Sequence, residues 1–259
     1  MTSSSNASPP VVVLGAAGRL GRELVHAALR LGRPVTAVAR NREKLRETLQ
    51  HAEHPLLTLA EADASDAEAL VALMKGASAV VNSAGHAGGG AAFIELVRTV
   101  VQATERALGP GGRLWALGGM GVLRIPNTNR LGIDLAGMPA MYETHRANHE
   151  TLRASSLAWS MLCPGPLVDT DDRPALDTLR ITTEVLPVEI DVSDAPGDEL
   201  LFSRVRERMP ETTIPYATAA EVLMRHLEKQ GPFSRQRVGI ALPVGQSAEK
   251  TGWKLGERG

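Results

Sequence analysis

The sequence predicts an α/β fold: a doubly wound parallel sheet with a small C-terminal cap on the substrate side. The first observation is an apolar run, Val11 to Leu14, that leads into glycines at positions 15, 18 and 21. The second is that further apolar runs alternate with helical segments of about ten to fifteen residues, which is typical of right-handed βαβ units. The third is a length of 259 residues, enough for one large domain with a buried core.

The charge balance of the chain points to a small-molecule ligand. Its 28 basic and 29 acidic residues leave a net charge of −1, so we expect neither nucleic acid nor a membrane surface as a partner. The single cysteine, Cys163, excludes an intrachain disulfide and favours a reducing, cytoplasmic location. We expect residues 1–10 to form a disordered tail and residues 11–259 to form a single domain, as a monomer or a homodimer.

The glycine turn has the geometry of a phosphate-binding site. Gly15 allows the chain to reverse, and Gly18 lets the backbone approach a pyrophosphate that a Cβ atom would repel. Gly21 lets the following helix pack close to its strand, and the N-terminus of that helix offers free N–H groups to an anion. The stretch therefore predicts a dinucleotide site.

Apolar spacing and end signals define the elements of the first half. A helix is expected over residues 19–31, where leucines recur at helical spacing and Gly32 follows. Asn41 is a candidate N-cap for the second helix, and Ser65 or Asp66 for the third. A long helix is expected over residues 91–108, between the last two strands. The predicted strands cover residues 11–14, 34–39, 55–60, 78–81 and 113–117.

The second half continues the alternation and then changes character. A helix over residues 140–154 and a strand over residues 157–163 are expected, and the Pro-Gly-Pro at 164–166 stops that strand. Residues 168–215 are acidic and rich in turns, and we predict that they form the cap. Within the cap we expect an edge strand over residues 179–187 and a short helix over residues 198–208. A last helix and strand are expected over residues 217–229 and 237–242.

The end of the second strand decides the type of dinucleotide. An acidic residue here binds the ribose hydroxyls of the unphosphorylated form, whereas a basic residue accommodates a 2′-phosphate. The sequence places Arg40 and Arg42 at this point and no acidic residue. Solvated surface arginines are the plainer interpretation. Their place at the carboxyl end of a strand favours the phosphate.

Three histidines and the cysteine are further candidates. His145 and His149 lie four residues apart on one helix, a spacing that suits zinc, but no third ligand is evident and we predict no metal site. An imidazole at His145, His149 or His86 would also serve as a proton donor near neutral pH. Cys163 ends an apolar strand and is expected to be a buried small hydrophobe.

Four blocks carry a resemblance to a known family: LGAAGRLG from residue 14, VARNREKL from 38, VVNSAG from 80, and MYETHRANHETLRASSLAWSMLCPGPLV from 141. With them the chain resembles the short-chain dehydrogenase/reductase superfamily, in the atypical NAD(P)H-binding branch that includes NmrA-like and flavin or biliverdin reductase-like proteins. The resemblance spans residues 11–167 and, weakly, residues 222–242. It implies a Rossmann fold.

The resemblance also implies a cofactor site, with NADP(H) preferred and NAD(H) also accepted. The glycine turn would hold the pyrophosphate, Arg40 the 2′-phosphate and Asp63 the adenine. The block around Ser83 would form the wall beside the ribose and nicotinamide. The full predicted set is Gly15, Ala17, Gly18, Arg19, Leu20, Gly21, Arg40, Arg42, Asp63, Ala64, Ser83, Ala84, Gly85 and Pro164.

The catalytic pattern of the superfamily is only partly kept. Tyr142 stands at the position of the general acid, but Arg146 replaces the lysine four residues on. Gly118 and Gly119 stand where a serine is expected, so a donor to the developing oxyanion is missing. Arg146 keeps a positive charge one helical turn from Tyr142, with a planar fork in place of a point charge.

Two functions follow from these residues. The first is an NADPH-dependent oxidoreductase that transfers hydride to a small or medium organic acceptor such as a quinone, a flavin or a carbonyl compound, with Tyr142 as proton donor and Arg146 orienting the ribose. The second is a non-catalytic NmrA-like sensor of the NADP(H) redox state. The missing serine and lysine favour the sensor, and the retained tyrosine favours the enzyme.

Overall fold

The computed structural model describes residues 8–252 and residue 255. Most of the predicted tail, residues 1–7, lies outside the described residues. The end of that tail is held by the sheet, because the backbone N–H of Ser78 donates to the carbonyl of Pro10 at 2.9 Å.

A mostly parallel sheet runs through the described part of the chain. Its strands, and those of a small second sheet, are β1 (Val11–Leu14), β2 (Val35–Ala39), β3 (Leu57–Glu61), β4 (Ala79–Asn82), β5 (Arg113–Leu117), β6 (Ala158–Cys163), β7 (Leu167–Val168), β8 (Arg180–Thr183), β9 (Ile214–Pro215) and β10 (Gln236–Ala241). The main sheet has the order β3-β2-β1-β4-β5-β6-β10-β8, and β7 pairs with β9. Only β8 runs antiparallel to its neighbour in the main sheet as described.

Helices cover both faces of this sheet. They are α1 (Arg19–Arg30), α2 (Arg42–Thr48), α3 (Ala67–Met74), α4 (Ala91–Leu108), α5 (Glu143–Ala154), α6 (Asp198–Glu207), α7 (Met209–Thr212) and α8 (Tyr216–Arg225). On one face α1 packs against α8, and on the other α3, α4 and α5 lie side by side. The side chains of successive residues in β1 point to opposite faces of the sheet. Val13 packs in the core under α1, and Val12 packs in the core under α4. The predicted doubly wound Rossmann fold is confirmed.

The strand order places a crevice at the centre of the sheet. Val13 of β1 pairs with Ala37 of β2 on one side and with Val81 of β4 on the other, all parallel. The connections that follow β1 and β4 therefore lead away in opposite directions. The two loops separate at the carboxyl ends of these strands and leave a crevice between them. Such a switch point is where open α/β sheets bind ligands.

Two predicted caps are settled by hydrogen bonds. The side chain of Asn41 accepts from the backbone N–H of Lys44 at 2.8 Å and caps α2. Asp66, not Ser65, caps α3, because its carboxylate accepts from the backbone N–H groups of Glu68 and Ala69 at 3.1 Å.

Most predicted elements agree with the structure to within two residues, and three differ in ways that have a physical cause. The helix expected over residues 140–154 is divided: Ala140–Tyr142 form a 3₁₀ turn, and α5 begins at Glu143. The edge strand expected over residues 179–187 ends at Thr183, since Glu184 has a φ of 66° and the next residue pairs with Arg124 instead. The last helix ends at Arg225. The side chains of Arg113 and Trp115 donate hydrogen bonds to the carbonyl oxygen of the next residue, His226.

The segment predicted as the cap packs near the α5 side of the sheet. Leu201 and Val205 of α6 join the core that lies under α3, α4 and α5. Among the described residues, no helix combines the length and the apolar character needed to cross a membrane.

Candidate functional site

A large cavity opens at the switch point of the sheet. Its volume is about 770 Å³, and it lies where β1, β2, β3 and β4 end. Nine residues of the predicted cofactor set line it: Gly15, Ala17, Gly18, Arg40, Asp63, Ala64, Ser83, Ala84 and Gly85. His86 and Phe93, from the loop and helix after β4, complete the wall nearest α5.

The glycine turn is shaped by close backbone contacts. Gly15 has a φ of 75°, and a Cβ atom there would lie 2.7 Å from the backbone nitrogen of Ala84. A Cβ atom on Gly21 would lie 2.2 Å from the carbonyl oxygen of Gly15. Both positions therefore require glycine, because the turn lies against the loop after β4 and the start of α1 lies against the turn. The Ser83 hydroxyl strengthens this junction by donating to the Leu14 carbonyl at 2.7 Å.

The N-terminus of α1 is left open for an anion. Gly18 is the N-cap residue, no side chain caps the helix, and its first turn holds no acidic residue. The first backbone N–H groups of a helix have no intrahelical acceptor, and they carry partial positive charge. A pyrophosphate placed in the large cavity would satisfy them, so this end of the cavity fits a dinucleotide.

Charged side chains lie in the wall of the large cavity where β2 and β3 end. Arg40 lies in the wall at the end of β2, close to Asp63 at the end of β3. Hydrogen bonds from Ser65, and then the charge of Arg40, hold the pKa of the Asp63 carboxyl below its usual value. The Arg40 guanidinium has no ion pair within the described residues and remains available to a phosphate.

Five residues of the predicted cofactor set lie outside this wall. Leu20 and Gly21 are buried beneath the turn. Arg19 forms an exposed ion pair with Asp169 at 3.7 Å. The backbone N–H of Arg42 donates to Glu61 at 3.0 Å, and its side chain does not line the cavity. Pro164 lines a different, smaller cavity.

This small cavity has a volume of about 160 Å³ and lies between the ends of β5 and β6 and helix α6. Its wall is mostly apolar. Met120, Ile133 and Met138 come from the irregular segment after β5, and Phe202 and Val205 come from α6. The strand ends contribute backbone at Gly118, Gly119 and Pro164 to Pro166.

Two aromatic side chains connect the small cavity to the large one. Tyr142 and His145 both line the small cavity, with ring centroids 6.1 Å apart and planes within 17° of parallel. The imidazole of His145 also meets the ring of Phe93 edge-on at 6.1 Å. Because Phe93 lines the large cavity, the two cavities adjoin at this ring pair.

Burial determines the charge of His145. The residue is only 9% exposed, and desolvation lowers the pKa of its imidazole to about 4. The ring is therefore uncharged at neutral pH.

Arg146 does not reach either cavity. Its guanidinium donates to Asp134 at 2.6 Å and to Glu143 at 2.8 Å, and the two carboxylates raise its pKa. The side chain lines a third, shallow pocket with His149 on the far side of α5. Tyr142 lies in the 3₁₀ turn that leads directly into α5, four residues before Arg146.

The two glycines at the predicted serine position are not equivalent. A Cβ atom on Gly118 would lie 2.9 Å from Cε of Met161, in the core. A Cβ atom on Gly119 would lie 3.1 Å from Cδ2 and 3.2 Å from Nε2 of His145. Only a side chain at position 119 would point toward the small cavity.

The remaining candidates lie apart from one another. His145 and His149 line different pockets, so their i,i+4 spacing does not form a common metal site. His86 lines the large cavity. Cys163 is 1% exposed, and burial raises the pKa of its thiol, as expected of a small core residue.

A protein family described as NAD(P)H-binding matches residues 15–194 of the chain. The chain belongs to this family. The match begins at the first glycine of the turn and includes the residues of the large cavity from Gly15 onward, so the NAD(P)H-binding family inferred from the four sequence blocks is confirmed. A nicotinamide dinucleotide is the ligand class of the family.

Solved structures show the same fold at low identity. A Rossmann-fold NAD(P)-binding family protein from Shigella flexneri is 17% identical, with 95% of this chain and 100% of that chain covered and a TM-score of 0.65. A short-chain dehydrogenase/reductase from Veillonella parvula in complex with NADP is 16% identical, with 95% and 99% covered and a TM-score of 0.65. An oxidoreductase from Lactococcus lactis is 16% identical, with 92% of each chain covered and a TM-score of 0.63. No curated protein matches the chain.

Several cavity residues carry no motif and were missed by sequence reasoning. Phe93 lies in the first turn of α4, directly after the glycine-rich loop, which is the one signal that would have found it. Met138 comes from the irregular segment after β5, and Phe202 comes from α6, within the segment predicted as the cap; neither carries a motif that marks it individually. Their role depends on contacts between distant parts of the chain.

Proposed function

We propose that the protein is an NADPH-dependent oxidoreductase of the atypical short-chain type, which transfers hydride to a small or medium organic acceptor. The single observation that carries the proposal is the pair of adjoining cavities. A large cavity with an open helix N-terminus suits the dinucleotide, and a small apolar cavity beside its inner end suits the acceptor.

The roles of the chain's own residues follow from this arrangement. NADPH, when bound, supplies the hydride to the acceptor carbon. Tyr142 lines the acceptor cavity and is the proposed donor of the proton that the acceptor oxygen takes up. Phe202 and Val205 of α6 line the cavity and, as part of the proposed 168–215 cap, would exclude water from it. Arg146 holds the start of α5 through its two carboxylate partners and is not assigned to the ribose.

Arg40 supports the choice of NADPH over NADH. It is an exposed cation in the wall of the large cavity and has no ion-pair partner among the described residues. A 2′-phosphate is a dianionic group that a guanidinium recognises well.

A non-catalytic sensor of the NADP(H) redox state is the second candidate. It is supported by Arg146, which stands at the position of the expected lysine and is ion-paired with Asp134 and Glu143, and by the absence of a side chain at Gly118 and Gly119. Such a protein would hold the cofactor without passing hydride onward.

Steady-state NADPH oxidation over a panel of quinones, flavins and carbonyl compounds separates the two candidates. The enzyme is expected to turn over at least one acceptor, and Tyr142→Phe is expected to lower kcat/KM by about 100-fold or more, the value of a general acid. Tyr216→Phe is the matched control, since Tyr216 lines neither cavity. Tight NADPH binding with no turnover on any acceptor would establish the sensor.

A further inference from the structure

The small cavity holds few polar side chains. Among the described residues that line it, only Tyr142, His145 and Arg206 carry nitrogen or oxygen beyond the backbone. Arg206 is exposed at the mouth of the cavity. A polar atom of a ligand in the interior therefore has the phenol and the imidazole as its side-chain partners.

The imidazole of His145 is fixed in place by its neighbours. It stacks on Tyr142 and meets Phe93 edge-on, and both contacts have centroid distances of 6.1 Å. These two contacts hold the plane of the ring beside the strand end at Gly119.

The imidazole of His145 lies directly against the position that a side chain at residue 119 would take. A Cβ atom on Gly119 would lie within 3.2 Å of both Cδ2 and Nε2, which is tighter than ordinary van der Waals contact. A serine at position 119 and the present imidazole therefore compete for one volume. The glycine provides the space that the ring occupies.

The two ring nitrogens have different surroundings. Nδ1 is buried and has no hydrogen-bond partner within the described residues. A buried acceptor without a partner is tolerated better than a buried N–H without one. We therefore assign the proton to Nε2, the nitrogen that lies beside Gly119, and this atom is then a hydrogen-bond donor.

We propose that His145 replaces the missing serine as the hydrogen-bond donor to the oxygen of an uncharged carbonyl substrate bound in the small cavity. The proposal deepens the proposed function, on which its assignment of the cavity to the acceptor rests. The imidazole and the phenol then hold one carbonyl oxygen between them, and the apolar wall holds the rest of the molecule.

The volume and lining of the small cavity define the substrate class. A cavity of about 150 Å³ with apolar walls holds benzene, and the present cavity measures about 160 Å³. A carboxylate would lose its hydration in this interior, where the donor is neutral. The geometry therefore favours a monocyclic ketone or aldehyde without charge.

Calorimetric titration of the purified protein with acetophenone tests the inference. α-Methylstyrene, which carries a methylene group in place of the oxygen, is the matched ligand. We expect His145→Phe, which retains a stacked ring, to weaken acetophenone binding about 3- to 10-fold, as expected for one neutral hydrogen bond. The affinity for α-methylstyrene is expected to remain unchanged. His54→Phe, at a histidine that lines neither cavity, is expected to change neither affinity.

A second pair of variants tests whether a serine hydroxyl at position 119 can replace the His145 imidazole as the hydrogen-bond donor. Gly119→Ser alone is expected to lower stability and acetophenone affinity, since the new side chain meets the ring. The double variant Gly119→Ser/His145→Ala is expected to recover both, because a hydroxyl then occupies the vacated space.

Each outcome decides a separate claim. Absence of acetophenone binding, or equal losses for both ligands in His145→Phe, would overturn the inference, as would a double variant no better than Gly119→Ser. Oxygen-specific binding without NADPH oxidation on any acceptor would leave the inference standing and overturn the proposed enzyme.

Discussion

At the scale of single residues, the neighbours His145 and Arg146 have opposite surroundings. Successive residues of a helix are about 100° apart around its axis, so one faces the small cavity and the other faces Asp134. Arg146 follows Tyr142 by four residues, and Tyr142 belongs to the 3₁₀ turn that leads into α5. The guanidinium of Arg146 is held by Asp134 and Glu143, whereas His145 lines the small cavity.

Arg40 is expected to set the cofactor preference. Arg40→Ala should weaken NADPH binding about 10-fold and leave NADH binding unchanged, because a charged hydrogen bond to the 2′-phosphate is lost. Fluorescence titration with both cofactors measures the ratio. Arg46→Ala, on the adjacent helix and paired with Glu53, is the control and should not alter it. An unchanged affinity ratio in Arg40→Ala would refute the 2′-phosphate assignment.

Acid should destabilise the protein through His145. The folded state keeps its imidazole neutral, with a pKa of about 4, whereas the unfolded chain takes up a proton near pH 6.5. The stabilisation is therefore complete above pH 6.5 and is lost as the pH falls toward 4, by about 3 kcal/mol in total.

Urea unfolding at pH 7.5 and pH 5 measures this effect. His145→Gln should reduce the fall in unfolding free energy between the two values. The part that remains includes His149, whose pKa burial also lowers. An equally steep fall in His145→Gln would show that other groups cause it.

At the scale of elements, the strand–turn–helix unit from β1 to α1 is the best-predicted part of the site. Gly15 and Gly21 are required by contacts within this unit and with the adjoining loop after β4. Short-range spacing therefore sufficed to predict the turn and the open helix N-terminus. The same spacing did not locate the end of the edge strand β8, which depends on Glu184 and on pairing with Arg124.

Gly21→Ala should destabilise this unit. The added methyl group would lie 2.2 Å from the Gly15 carbonyl oxygen, so α1 must move away from the turn. We expect a loss of about 1–3 kcal/mol, as for overpacking in a core, together with weaker NADPH binding. Gly197→Ala is the control, since a Cβ atom there meets nothing within 4 Å. Equal unfolding free energies for the two variants would contradict the role of Gly21.

At the scale of the whole molecule, the two cavities are built by different parts of the chain. The large cavity uses residues 14–96, and the small cavity uses residues 118–209 with Leu255. They meet only through the Phe93–His145 contact among the described rings. Changes in the wall formed by α6 should therefore act on the acceptor and not on the dinucleotide.

Phe202→Ala tests this separation. Removal of the ring should raise the acetophenone dissociation constant, or the KM of an active acceptor, about 5- to 10-fold through lost apolar contact. The NADPH dissociation constant should stay within about twofold of the wild-type value. Leu200→Ala, at a side chain of the same helix that is 47% exposed, should alter neither. A parallel loss of NADPH affinity in Phe202→Ala would show that the cavities are coupled.

The sequence by itself determined the alternation of strands and helices from β1 to β6, the glycine turn, and nine of the residues that line the large cavity. These features depend on spacing along the chain and on backbone conformations that few residues other than glycine adopt. The tertiary structure alone decided which face of α5 meets the small cavity, that Arg146 is held by Asp134, and that Phe202 closes the wall. Each of these depends on contacts between segments far apart in sequence, whose geometry no local pattern encodes.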